Sequence, residues 1–419
     1  MKTIRTASMI ALSLALATGG VAATTFAPRA AMAAEKAKVL TPAVFKPVSE
    51  GQAALKAGKV KDAIAKLEEA DKIAKKTPYE TYIVNILLSA AYGQTQDYNN
   101  AIRTLEAAQN SGEMLAADSV NALKQITASY YSMKNYPKTI DYAQRYLQAA
   151  PGDLDIMNLV SQSYYIQNNF KSASESTRST IKAAQTASKP VKEEWLQLLM
   201  SSEFKQDNNA GVMAALEQLV VTHPKDQYWK DLIRLNEAAM KGATNKNNLD
   251  IYGIKFFLGL VATAEEYSEM TQVALQEGLP GVAKRVMEKG VGAGVLGQGA
   301  QKERESRLLT KANADAAADQ SSLAKGEAEA KNQKSGDALV KYGEAYASYG
   351  QYDKAIEVIQ AGIAKGLQNG DEGKLRLGIV YIQSGKRAQG LDAFKGITAG
   401  SVPAHLAKLW SLASASKKA

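Results

Sequence analysis

The chain contains no cysteine in 419 residues. Disulfides, thiolate nucleophiles and thiolate metal sites are therefore excluded in any compartment, and so is a cysteine-linked lipid anchor. Histidine is almost as scarce. His223 and His405 are the two present, far apart, and no carboxylate spacing completes a metal-ligand set around either. Aromatic residues make up 7% of the chain and are mostly tyrosine. No nucleophile elbow (G-x-S-x-G), zinc-protease helix (H-E-x-x-H) or phosphate loop occurs. The five glycines between residues 290 and 299 lack both the Lys-Ser/Thr of a phosphate loop and a preceding strand, so they read as a loop or hinge. Adjacent acids such as Glu68-Glu69, Glu193-Glu194 and Glu265-Glu266 diverge around a helix and read as solvated surface. No catalytic residue, cofactor or metal is expected.

Charge of one sign is not concentrated either. The formal net charge is +9, but bases and acids alternate, without a run that would track a phosphate backbone. A single-strand binder also needs stacking aromatics beside a basic stripe, and that combination is missing. No nucleic-acid partner is expected.

What is present begins with an address. Lys2 and Arg5 precede an apolar run, Ser8–Ala17, which ends at Gly19-Gly20. Ala31-Met32-Ala33 then fits a small-x-small cleavage site. These are the three regions of a secretory signal peptide over residues 1–33, which predicts a mature chain starting at Ala34 in the periplasm. Thr18, Gly19, Gly20, Thr24 and Thr25 interrupt the stretch too often for a membrane anchor. The mature chain is expected to have no transmembrane segment.

The rest repeats. Residues 337–366 carry Leu339, Tyr342-Gly343 and Tyr346, then Tyr352, Ala355 and Ile359. The same offsets return at Leu377, Gly378, Tyr381, Gly390 and Phe394. Tyr130 and Tyr164 are 34 residues apart, as are Tyr136 and Phe170. Leu88, Tyr92, Tyr98, Ala101 and Leu105 form an earlier unit, and Gly51, Ala54, Ala63, Leu67 and Ala70 the first. This pattern resembles the tetratricopeptide-repeat family, whose unit is W-x2-L-G-x2-Y…A-x3-F…P over 34 residues. The resemblance implies an all-α superhelix of antiparallel helix pairs, about eight of them over residues 44–410. The small residues at 343 and 355 would sit where two helices approach most closely, and Lys354 on the solvent face. Three parts are expected: an N-terminal array over 34–241, a divergent helical region with the glycine-rich hinge over 249–300, and C-terminal repeats over 301–415.

In that family the inner face of the first helix of each pair carries ligand contacts. Phasing the repeats turns Asn121, Lys124 and Tyr131 inward on one helix, and Asn158, Gln162 and Tyr165 on the next. Amides and tyrosines suit a peptide backbone or a sugar hydroxyl. Asn121 and Lys124 resemble part of the family's two-carboxylate clamp, but its other members are out of phase here. The resemblance therefore implies a non-catalytic scaffold for a protein or peptide partner. Residues 223–235, HPKDQYWKDLIRL, are similar to periplasmic repeat proteins linked to TonB-type systems, which suggests an envelope or transport assembly. The alternative is a carbohydrate-associated module in polysaccharide export or peptidoglycan binding. It would need inward aromatics in several successive repeats, and the phasing places tyrosines in two.

Overall fold

The computed structural model describes residues 38–240 and 242–416. The expected signal peptide and its cleavage site lie outside the described residues. Among those described, the chain forms twenty α-helices and no strand.

Eight antiparallel pairs supply most of the architecture. In the N-terminal part α1 (Pro42–Lys56) pairs with α2 (Val60–Asp71), and α3 (Pro78–Gln94) with α4 (Tyr98–Asn110). Next come α5 (Ala116–Ser132) with α6 (Tyr136–Ala149), α7 (Leu154–Ile166) with α8 (Phe170–Thr186), and α9 (Glu193–Phe204) with α10 (Asn209–Thr222). Farther on, α13 (Ala264–Gln276) pairs with α14 (Pro280–Gly292), α16 (Asp337–Ser348) with α17 (Tyr352–Lys365), and α18 (Gly370–Gln383) with α19 (Arg387–Ala393). Four helices stand outside this pairing: α11 (Asp226–Ala239), α12 (Asn245–Leu258), α15 (Lys302–Lys331) and α20 (Val402–Ser416).

One turn geometry makes all eight pairs. The residue just before the N-cap of the second helix is left-handed each time, at Gly58, Gln96, Lys134, Asn168, Asp207, Gly278, Gly350 and Gly385. In four pairs the next residue is Asp97, Asn135, Asn169 or Asn208, whose side chain accepts from a backbone N–H in the first turn of that helix. A carboxylate or amide cap satisfies a donor the helix cannot. It offsets part of the cost of placing a non-glycine residue at positive φ.

Close approach within a pair needs small side chains. A Cβ on Gly343 would lie 3.0 Å from the Ala355 carbonyl oxygen and collide with Ile359. A Cβ on Gly390 would lie 2.9 Å from the Gly378 carbonyl, and one on Gly51 would strike Leu67. These are the positions the repeat pattern marked as small. The helical-repeat solenoid of tetratricopeptide-type pairs is therefore the fold.

Several finer expectations change. The glycine-rich stretch is partly helical: Gly290 and Gly292 belong to α14, and Gly290 is buried against Leu296 and Tyr267. Lys354 is not a plain solvent residue; its ammonium lies 3.1 Å from the buried Glu327 carboxylate. The acid pairs are not uniformly solvated. Glu68 accepts from the Tyr92 hydroxyl at 2.6 Å, and Glu266 closes a capping box with Thr263. Glu193 accepts from the Lys225 ammonium and the Tyr228 hydroxyl.

The largest departure from a simple solenoid is closure of the C-terminal part. One apolar core joins α8–α12 to α18 and α20, and it contains all three tryptophans, Trp195, Trp229 and Trp410. Helix α20 packs on α10 and α12 as well as α18, burying Leu406, Leu409 and Trp410. Each such side chain contributes roughly 1.5–3 kcal/mol when withdrawn from water. Polar contacts follow the same seam. The Trp229 indole donates to Ser416 Oγ at 3.3 Å, His405 Nδ1 lies 3.3 Å from Asn236 Oδ1, and Lys408 meets Glu217 at 2.9 Å. At the centre, the Arg376 guanidinium makes two parallel hydrogen bonds to the Asp250 carboxylate, the second at 2.7 Å. Its Nε also donates to Glu372 at 2.6 Å and lies 3.2 Å from Glu344, which Lys246 meets at 2.7 Å. Burial works against the Arg376 charge, but Asp250 and Glu344 hold its pKa well above the ordinary value.

Candidate functional site

The inside of the N-terminal curve is made by the first helix of each pair. Helix α1 touches α3, α5 touches α7 and α7 touches α9, whereas the second helices make no comparable contact with one another. In a curved stack the crowded side is the inner one. The six residues singled out by the repeat phase lie on α5 and α7, and the structure divides them.

Three are committed to holding successive repeats together. Lys124 Nζ meets Asp153 Oδ2 at 2.7 Å. Asp153 is the N-cap of α7, accepting from the backbone of Asp155 and Ile156 and from the Tyr146 hydroxyl at 2.8 Å. Burial pushes the Asp153 carboxyl up, but Lys124 and Tyr146 outweigh it and the pKa falls below the ordinary value. The same hydrogen bond raises the Lys124 pKa. The Tyr131 hydroxyl donates to Gln162 Oε1 at 2.6 Å, joining α5 to α7. The pattern extends along the face. Tyr82 donates to Asp118 at 3.3 Å, Lys192 to Asp155 at 3.3 Å, and Gln197 to the Tyr228 hydroxyl at 2.6 Å. These rungs set the spacing of the inner helices.

The other three are not spent this way. Asn121 is exposed and Asn158 half-buried, and neither side chain makes a hydrogen bond among the described residues. Tyr165 stands with its ring edge-on to Phe170, centroids 5.4 Å apart. Tyr131 repeats that contact with Tyr136 at 5.9 Å.

A further member of the row was missed by the phasing. Tyr131 and Tyr165 each lie four residues before the asparagine that caps the second helix, Asn135 and Asn169. The residue four before the next such cap, Asn208, is Phe204, and it is 66% exposed. Ile166, next to Tyr165 at the end of α7, is 46% exposed. Three successive inner helices therefore present an aromatic ring at one position. The capping asparagine was the available signal. The tyrosine pair that marks this place in the two preceding repeats is replaced here by Glu203-Phe204.

Glu203 itself faces the second helices α8 and α10 and is structural. It accepts from Ser174, from Arg178 at 2.6 Å and from Asn208 at 2.6 Å. Burial raises its carboxyl, and these donors reverse the shift, leaving the pKa below the ordinary value.

No group of three or more His, Asp or Glu able to hold a metal occurs among the described residues. No described helix is long and apolar enough to cross a membrane.

No family model matches the chain, and no curated protein matches it. Solved structures do. A tetratricopeptide repeat protein from Parabacteroides merdae is 14% identical, covering 65% of this chain and 99% of its own, with a TM-score of 0.35. MamA from Desulfovibrio magneticus RS-1, residues 41 to the end, is 15% identical over 49% of this chain and 100% of its own, with a TM-score of 0.33. Identities and scores at this level say nothing about partners.

Proposed function

We propose that the chain is a non-catalytic periplasmic scaffold that holds an extended segment of a protein partner against the inner face of α5, α7 and α9. The observation that carries this reading is the row Tyr131, Tyr165 and Phe204, with Phe204 and Ile166 left open to solvent on an otherwise polar, rung-braced face. Aromatic side chains that stay exposed beside satisfied polar groups are the usual anchors of a binding surface. The signal-like segment over residues 1–33 supports a location outside the cytoplasm. Residues 223–235 favour an envelope or transport assembly, a TonB-type system among them.

The experiment is capture of partners from the periplasmic fraction, with N-terminal sequencing of the recovered chain. The expected start is Ala34. The variant is Asn121, Asn158, Tyr165 and Phe204 changed together to Ala, because none of these forms a rung. Lys124 and Tyr131 are left in place, since removing them would disturb the curve itself. Truncating two aromatic anchors should weaken binding by more than ~10-fold, with circular dichroism unchanged. A folded variant that recovers its partner at the wild-type level contradicts the assignment, as does an intact Met1 in membrane pellets. Three aromatics in register would also suit a sugar chain. Retention of soluble glycan, with no protein partner captured, would decide for carbohydrate.

A further inference from the structure

The closed C-terminal part contains a half-open cavity of about 320 Å³, within the size range of small-ligand sites. It lies at the centre of the ring, bounded by α12, α14, α16, α18 and α20, and is distinct from the inner face of α5–α9. Its two ends differ in chemistry.

At one end the charges are satisfied. Asp250, Glu344 and Glu372 share Arg376 and Lys246, as described above. Acceptors there already have their donors.

At the other end the donors have no acceptor. Arg285 and Lys289, one turn apart on α14, both lie over the Phe256 ring, at 5.9 and 4.4 Å from its centroid. Neither forms an ion pair among the described residues. The nearest acid along that helix, Glu288, is paired with Lys284 at 3.8 Å instead. Arg285 Nε is buried with no hydrogen-bond partner. On the opposite wall Trp410 is 1% exposed, and its indole Nε1 is also buried without a partner. A buried donor left unmet costs about 1–3 kcal/mol, and an acceptor brought within its reach would recover part of that. Gly253, between the two ends, keeps the space open. A Cβ there would meet a single neighbour, Trp410 Cζ2, at 3.5 Å.

We propose that this cavity binds a small organic anion, a carboxylate or similar group carried on a compact apolar body. The anionic group sits between Arg285 and Lys289, and the body lies against Phe256, Val282 and Gly253. The donors at one end and the satisfied acids at the other fix the orientation. An uncharged molecule of the same shape would forgo the charge-assisted contacts to Arg285 and Lys289 and would bind less well.

The test is calorimetric titration of the full mature chain with octanoate and with indole-3-acetate, beside their neutral counterparts 1-octanol and indole-3-acetamide. At least one carboxylate should bind, and its neutral counterpart should bind at least ~10-fold more weakly. Which carboxylate binds more tightly distinguishes a chain-like from a ring-like body. The double variant Arg285→Gln/Lys289→Gln should lose at least ~10-fold in affinity while staying folded by circular dichroism, because neither side chain is part of an ion pair. Gly253→Leu, which fills the space without touching either cation, should abolish binding. The proposal is overturned if neither carboxylate binds, if the neutral counterparts bind equally well, or if either folded variant keeps wild-type affinity. The comparison of charged with neutral ligands uses the unaltered chain, so it decides the matter even where a variant does not fold.

Discussion

The N-terminal array and the C-terminal ring are built from the same helix pair yet are held together differently. From α1 to α10 each pair contacts its neighbours in sequence, and polar rungs between half-exposed side chains set the curve. The Lys124–Asp153 pair is typical, joining residues 29 apart. From α11 onward the chain returns on itself. Asp250 and Arg376 are 126 residues apart, and Trp229 and Ser416 are 187 apart. Nearest-neighbour stacking makes a solenoid that can be lengthened or shortened one repeat at a time. Long-range closure makes a unit whose parts depend on one another. The repeat is thus a local device, and shape is decided by the helices that do not repeat.

That contrast can be broken most forcefully at the two ion pairs. Arg376→Ala leaves Asp250 buried without its cation and Glu344 with Lys246 alone, and should destabilise the C-terminal ring by about 3–5 kcal/mol. Lys124→Ala removes a half-exposed pair and should cost at most about 1 kcal/mol. Urea unfolding followed by circular dichroism compares each with the unaltered chain. Equal midpoints for the two variants would mean the ring is not held by its buried charges.

The next effect lies inside a repeat, where the two regions should respond alike. Gly343→Leu forces α16 and α17 apart and should cost about 1–3 kcal/mol. Lys325→Ala, on the exposed side of α15, should stay within about 0.5 kcal/mol. Thermal melts decide this. Indistinguishable melts would place the helix contact elsewhere.

A smaller effect is expected from acid. Burial alone would raise the Glu80 carboxyl, but the Thr41 hydroxyl and the backbone of Thr77 and Thr41 hold it at about 2. Glu327 is likewise held at about 2 against burial by Lys331, Tyr346 and Lys354. Both folded values lie below the ordinary carboxylate value of 4.5. The stability they contribute is therefore complete above about pH 4.5 and is lost as the pH falls towards 2. Glu80 braces α1 against α3, and Glu327 braces α15 against α16, so both regions should loosen in that window. Ellipticity followed during acid titration tests it. Glu327→Gln should reduce the acid-induced loosening of the ring and leave that of the array unchanged. A profile flat from pH 5 to 2 in the unaltered chain would contradict the assignment.

The sequence disclosed what is local. Spacings of 34 residues, Gly343 with Ala355, and Pro280 at the start of α14 each state a constraint that acts within one helix pair, and the structure meets them. Asn121, Lys124, Tyr131, Asn158, Gln162 and Tyr165 were legible as surface residues of the first helices for the same reason. What the sequence did not disclose is which of them are already paired. Lys124 finds its acid at the cap of the following helix, and Tyr131 its acceptor one repeat away. Closure was illegible because its signal is long-range. Asp250 and Arg376 each read as an ordinary charge on a helix, and only the packing of α12 against α18 buries both. Phe204 was hidden by Glu203, a carboxylate standing where the neighbouring repeats carry tyrosine.

The most direct test of closure is zero-length carbodiimide cross-linking of the unaltered chain, with peptide mapping of the monomer. It joins an amine to a carboxylate only where the two already touch. Closure predicts amides between Lys408 and Glu217, at 2.9 Å, and between Lys246 and Glu344, at 2.7 Å, formed alongside the array's own Lys124–Asp153 link. Recovery of the Lys124–Asp153 link without either long-range link would mean that α20 does not return to α10, and that the C-terminal part is an open continuation of the array.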